Sequence, residues 1–158
     1  MGTTEPPASA PGALGPERAR LIAAAHLLLI RDGSILLARR ANTGYEDGRY
    51  SVVAGHVDAG EAATAAMVRE AREEAGIAIR PEDLRLAHVM HRRSLEERVE
   101  FFFTAERWQG TPTICEPDRC DHLEWFPLSG LPDTMVAYVR AALERHLAGA
   151  TFSEYGWG

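Results

Sequence analysis

The stretch that most constrains this chain runs from Gly55 to Ile77 and reads GHVDAGEAATAAMVREAREEAGI. Read as a helix over Glu70 to Ala75, its residues advance by about 100° each. Glu73 and Glu74 then lie one turn on from Glu70, on the same face. Val68, Ala71 and Ala75 fall on the opposite side, where a core can take them. Three carboxylates on one face repel each other. A divalent cation is the simplest remedy, and all-oxygen ligands suit Mg²⁺ or Mn²⁺. Such an ion keeps several waters and completes its shell with substrate phosphates.

Taken alone, REAREE also fits a solvated surface helix. The longer spacing weighs against that. Gly55, Glu61, Arg69-Glu70, Glu73-Glu74 and Gly76 stand at set intervals. With each residue type near about 7% of usage, chance gives this pattern on the order of 10⁻⁸ times per start position. These residues resemble the Nudix box: Gly, five residues, Glu, seven residues, Arg-Glu, apolar, any, Glu-Glu, any, Gly, apolar. Ala71 is smaller than the aliphatic residue usual there, and no Ser, Asp or Asn caps the helix near Ala62.

The resemblance implies an α/β protein, a Nudix-type α/β/α sandwich with a mixed β-sheet flanked by helices. It implies hydrolysis of a nucleoside diphosphate linked to another group. Glu73 and Glu74 match the principal metal ligands, and Glu70 matches a metal ligand that in some members is the general base. Arg69 completes the catalytic set by orienting a carboxylate, and Glu61 matches a structural or outer contact. The carbonyl of Gly55 is expected to face the metal. Some members add a carboxylate from outside the box. Candidates are Asp121, Glu116, Asp118, Glu96 and Glu97, with Asp121 first because it precedes the Trp125-Phe126 strand.

The formal net charge of −6 argues against nucleic acid as the main partner. It also leaves an anionic substrate to be attracted by a bound cation. Cys115 and Cys120 make neither a disulfide framework nor a zinc site, so reduced thiols in a cytoplasm are expected. His56, His88, His91 and His122 are not spaced as zinc ligands. No membrane span is expected, because the longest apolar run, Leu21 to Ile30, is too short and contains His26.

Residues 1–17, with four prolines among small residues, predict a flexible tail. Residues 18–158 predict a single domain. Ala23 to Ile30 and Ser34 to Ala38 predict a hairpin around Asp32-Gly33. Arg39 to Tyr50 is loop-like, and as a substrate loop it would use Arg39, Arg49, Tyr45 and Tyr50 for phosphates and a base face. Its other reading is a plain connector. Ser51 to Ala54 predicts a short strand entering Gly55, and Gly76 a helix stop. Leu84 to Met90 and Val99 to Ala105 predict strands joined by the charged HRRSLEER, with Phe101 to Phe103 central. His122 to Leu128 predicts a late strand, and Asp133 to Leu147 a helix capped by Asp133 or Thr134. The aromatic tail Phe152, Tyr155 and Trp157 predicts docking on the body.

Within the family, Pro about fifteen to eighteen positions past the box marks ADP-ribose enzymes and Tyr marks dinucleoside polyphosphate enzymes. The run Met90 to Leu95 has neither, which implies the MutT-like, nucleoside-triphosphate side. The alternatives are an ADP-ribose or nucleotide-sugar pyrophosphatase, or a non-catalytic nucleotide sensor. All four box glutamates are kept, which favours an enzyme. Homodimers are frequent in the family, so self-association is a further expectation.

Overall fold

The computed structural model describes residues 16–158. The expected tail over 1–17 lies, but for its last two residues, outside that range. In chain order come β1 (Ile22–Leu27), β2 (Ile30–Arg31), β3 (Ser34–Arg40), β4 (Tyr50–Ser51), β5 (Val53–His56) and helix α1 (Ala63–Ala75). A 3-10 turn (Pro81–Asp83) leads into β6 (Leu84–Arg93) and β7 (Glu97–Ala105). Then follow β8 (Cys120–Pro127), α2 (Ala137–Leu147) and β9 (Phe152–Tyr155).

The main sheet is mixed and runs β5-β1-β7-β6-β9, with β1 parallel to β7 and β9 parallel to β6. A smaller sheet holds β2, β3 and β4, with β8 paired to β3. The period-two alternation of strand side chains decides where the helices go. Leu27 and Phe103 face Ala66, Met67, Ala71 and Ala75 of α1. Leu28, Met90 and Phe102 face Val139, Ala142 and Leu143 of α2. Adjacent phenylalanines thus feed opposite cores, and β7 lies central as the sequence implied. Two helices flank the mixed sheet, in the expected α/β class.

Several boundaries differ from expectation. The apolar run from Ala23 to Ile30 is two strands, because Leu28-Leu29 carries the chain from one sheet to the other. Residues Ser51 to Ala54 divide around Val52 for the same reason. The β2–β3 turn is as predicted, with Asp32 and Gly33 at φ 50° and 74°. The charged HRRSLEER is mostly strand, with only Ser94 to Glu96 turning. Its charges are absorbed by pairing, since Arg92 and Arg98 both bind Glu100. Helix α2 begins at Ala137, four residues later than predicted, and has no side-chain cap. In place of its expected first turn stand a turn at Asp133-Thr134 and a bridge from Met135 to Tyr50, where Tyr50 N–H donates to Thr134 O and Val136 N–H donates to Tyr50 O. The C-terminal aromatics do dock: β9 pairs with β6, and Trp157 Nε1–H donates to His91 O at 3.0 Å. No helix among the described residues is long and apolar enough to cross a membrane.

Candidate active site

Helix α1 is held at its start by tertiary contacts, since Ala62 offers no capping side chain. Arg69 supplies that hold. Its Nε and Nη2 donate to the two oxygens of Glu61 at 2.8 and 2.9 Å, a forked charge-assisted pair. Nη2 also donates to His56 O at 3.1 Å, and Nη1 to Glu70 Oε1 at 2.8 Å. Glu61 closes the loop by accepting Asp58 N–H at 3.1 Å. The Arg69 bonds hold the Glu61 carboxyl down at about 2. At the other end Gly76 takes φ 67°, and its N–H reaches back to the last turn of α1.

The helix meets the sheet at closest approach where Gly55 faces Glu70. A Cβ built on Gly55 would lie 2.0 Å from Glu70 Oε1, so any larger residue would push the Glu70 side chain from this position. One turn on, Glu74 Oε2 accepts Ala54 N–H at 3.1 Å. Burial pushes the Glu74 carboxyl up to about 8; Ala54 N–H opposes this, while Glu70 and Glu116 add to it. Burial also raises Glu70, against the pull of Arg69. Glu73 is half-exposed and pairs with Arg69 at 3.3 Å. All three glutamates line one cleft of about 920 Å³, together with Gly55, Arg39, Arg40, Tyr45, Glu116 and Arg119.

Among the described residues no three His, Cys, Asp or Glu side chains are already gathered as a metal-binding group. The chemistry nevertheless fits a hard divalent cation. Glu74 is a sequestered carboxylate whose one hydrogen bond is a backbone N–H, and further acids press on it. The donors are all oxygens. Arg69 presently engages Glu70 and Glu73, so a cation would compete with a guanidinium for them.

The loop from Arg39 to Tyr50 reaches the cleft only in part. Arg39 and Tyr45 line the cleft. Arg49 does not; it pairs with Glu46 at 3.0 Å. Tyr50 is a correction as well: its ring is buried against Phe126, and its hydroxyl meets His122 Nδ1 at 2.6 Å. The residue opens β4, and strand pairing turns it into the core. Asp121 is drawn off by Arg39, at 2.7 Å, and does not line the cleft. Glu116, five residues earlier, does. Arg40 takes part too, with Nε on Tyr45 O and Nη2 on Thr43 Oγ1. Sequence reasoning ranked Glu116 below Asp121 and missed His26, Arg92 and Arg98, which line the cleft's other end.

The model of the NUDIX domain matches residues 19–146. The NAD-capped RNA hydrolase NudC of Pseudomonas aeruginosa strain PAO1 is 30% identical over 122 residues, which is 77% of this chain and 40% of that protein. The chain thus spans well under half the length of the curated relatives it matches. A MutT NUDIX hydrolase structure from Burkholderia pseudomallei has a TM-score of 0.73 and 33% identity, covering 79% of this chain and 97% of that one. A MutT protein from Methanosarcina mazei Go1 shares the fold, with a TM-score of 0.70 at 23% identity over 84% and 97% of the two chains. The box, the cleft it lines and these likenesses agree: the chain belongs to the NUDIX family.

Proposed function

We propose that the protein hydrolyses a phosphoanhydride in a nucleoside diphosphate linked to a further group, with a nucleoside triphosphate as first choice and Mg²⁺ as cofactor. The observation that carries this is the Glu74 carboxyl, pressed by Glu70 and Glu116 at the wall of a cleft, with Ala54 N–H as its one hydrogen bond and Arg40 as the cation set against them. Glu70, Glu73 and Glu74 would hold the cation, with the Gly55 carbonyl beside them and Glu116, in place of Asp121, as the acid from outside the box. Mn²⁺ could replace Mg²⁺ on the same oxygens. When bound, the ion neutralises charge on the anhydride oxygens and acidifies a water.

The chain's own groups then divide the remaining work. Glu70, raised by burial, is suited to accept the proton of the attacking water. Arg69 fixes the Glu70 carboxylate through Oε1. Arg39 and Arg40 lie where they can meet phosphate oxygens, and Tyr45 offers a half-exposed ring to a base. The free cysteines suit a reducing compartment such as a cytoplasm.

A Mg²⁺-dependent hydrolysis screen tests the reading, over nucleoside triphosphates, sugar nucleotides, ADP-ribose and dinucleotides, with products separated as pyrophosphate or monophosphate. Turnover with Mg²⁺ that EDTA abolishes is the expected result. Nucleotide binding without turnover on any substrate would make the protein a sensor. The likeness to NAD-capped RNA hydrolases favours a second reading, a dinucleotide anhydride of the NAD type.

A further inference from the structure

The same cleft has a second end, walled by β1, β6, β7 and α2, which the proposed chemistry does not use. There Glu100 is fully buried and collects three partners. Its Oε1 accepts Arg92 Nε at 2.9 Å and Arg98 Nε at 2.8 Å, and its Oε2 meets His26 Nε2 at 2.9 Å. Two guanidiniums therefore share one buried carboxylate. Glu96 approaches Arg98 at 3.4 Å, but it is more than half exposed and its charge is screened. This end sets two guanidiniums against one fully buried carboxylate, inside a protein of net charge −6. Burying cation without counter-charge is costly, and folding alone gives no reason for it.

Two further observations point to a ligand. Arg92 is 7% exposed and stacks over the Tyr138 ring at 4.0 Å. Only its Nε is hydrogen-bonded among the described residues, so its Nη groups are left to the cleft. His26 is 2% exposed and stacked on Phe102, and its Nδ1 has no partner. An unpaired buried nitrogen is expensive and calls for a ligand atom or a water.

We propose that Arg92 and Arg98 form a second phosphate subsite, which selects nucleotides bearing a phosphate separate from the anhydride that is cut. The inference rests on the hydrolase reading for the word substrate, but not for the binding. A carboxylate would be matched by one guanidinium fork, whereas a tetrahedral phosphate can meet Nη groups arriving from two neighbouring strands. One end of the cleft thus lacks a cation and the other lacks an anion. A substrate with the metal at one phosphate group and a free phosphate at the other answers both.

Inorganic pyrophosphate is titrated into the full chain by calorimetry in EDTA, with acetate at equal ionic strength as control. Saturable binding of pyrophosphate and none of acetate is expected. Arg98→Gln should weaken it at least tenfold, and Arg98→Lys should restore part of it. Glu74→Gln should bind at least as tightly as the wild type. Unchanged binding in Arg98→Gln would overturn the subsite. Arg92→Gln is the stricter variant, and because Arg92 is buried, Arg98 keeps the test open should it misfold. In the presence of Mg²⁺, kcat/KM for NADP against NAD should favour the phosphorylated member in the wild type and fall to near parity in Arg98→Gln. An equal ratio in both proteins would also overturn it. Absence of all hydrolysis would remove the hydrolase reading while the calorimetric result on the subsite stood.

Discussion

Two glutamates, Glu74 in the wall of the cleft and Glu100 buried behind the residues that line its other end, meet opposite outcomes. Burial pushes both carboxyls up. At Glu100 the hydrogen bonds and charge of His26, then those of Arg98 and Arg92, outweigh burial and hold the group at about 2. At Glu74 the only counterweight of note is Ala54 N–H, and the group rises to about 8. Burial thus leaves a settled anion in one place and a carboxyl that keeps its proton in the other. The difference lies in which elements supply neighbours. Strands β6 and β7 bring cations to Glu100, whereas α1 brings more acid to Glu74. A fold can bury charge at little loss where it also buries the partner. Where it withholds the partner, something from solution must complete the site.

The largest expected effect is on Glu100. Glu100→Gln strands two guanidiniums and should lower stability by about 3–5 kcal/mol, read by urea unfolding. A loss below about 1 kcal/mol would erase the contrast. The same change at Glu74 should act oppositely on stability, since it removes an uncompensated charge. In EDTA at pH 8 the Tm of Glu74→Gln should equal or exceed that of the wild type. Its Mg²⁺-dependent turnover should nonetheless fall by about 100-fold or more, about 2.7 kcal/mol of barrier. Wild-type rates in this variant would remove the proposed mechanism.

Acidity gives a third probe. Glu74 is raised in the folded state, so its contribution weakens stability as pH climbs from about 4.5 to about 8. Glu100 is lowered, so its contribution is present above about 4.5 and is lost as pH falls toward 2. Mg²⁺ must displace the Glu74 proton, so the Tm gain from the ion should be larger at pH 8 than at pH 6. Scanning calorimetry at both values, with Glu74→Gln flat across them, tests this. The smallest effect separates the two outer acids. Glu116→Gln should lower kcat by about tenfold, on the scale of a ligand-supporting residue. Asp121→Asn should stay within about twofold; the reverse order would restore Asp121 as the outside acid.

The box was legible because its roles sit at fixed intervals on one helix, where spacing alone sets the face. The Glu61–Arg69 fork ties the loop before α1 to the helix; from sequence, Glu61 was legible as a structural or outer contact but not as the partner of Arg69. Glu116 could be named but not ranked, since a loop residue is aimed by contacts far away in sequence. Asp121 looked better by position and is lost to Arg39, which no pattern of residues announces. Tyr50 was misread because an aromatic closing a polar loop fits both a base platform and the first residue of a strand. The Glu100 cluster draws on three strands, and its only linear trace is charge at alternate positions in β7, Arg98 and Glu100. Such a trace ordinarily means a solvent-facing edge, and only the sheet order, with β7 in the middle, turns it inward.

The overlap that any side chain at position 55 would create with Glu70 makes that junction a gauge of distance for whoever re-engineers this scaffold. Loop grafts and specificity libraries can vary the rim around Tyr45 or the Ser94 to Glu96 turn freely. A library that randomises Gly55 would instead press on the Glu70 side chain, and survivors should favour glycine wherever Glu70 keeps its bond to Arg69.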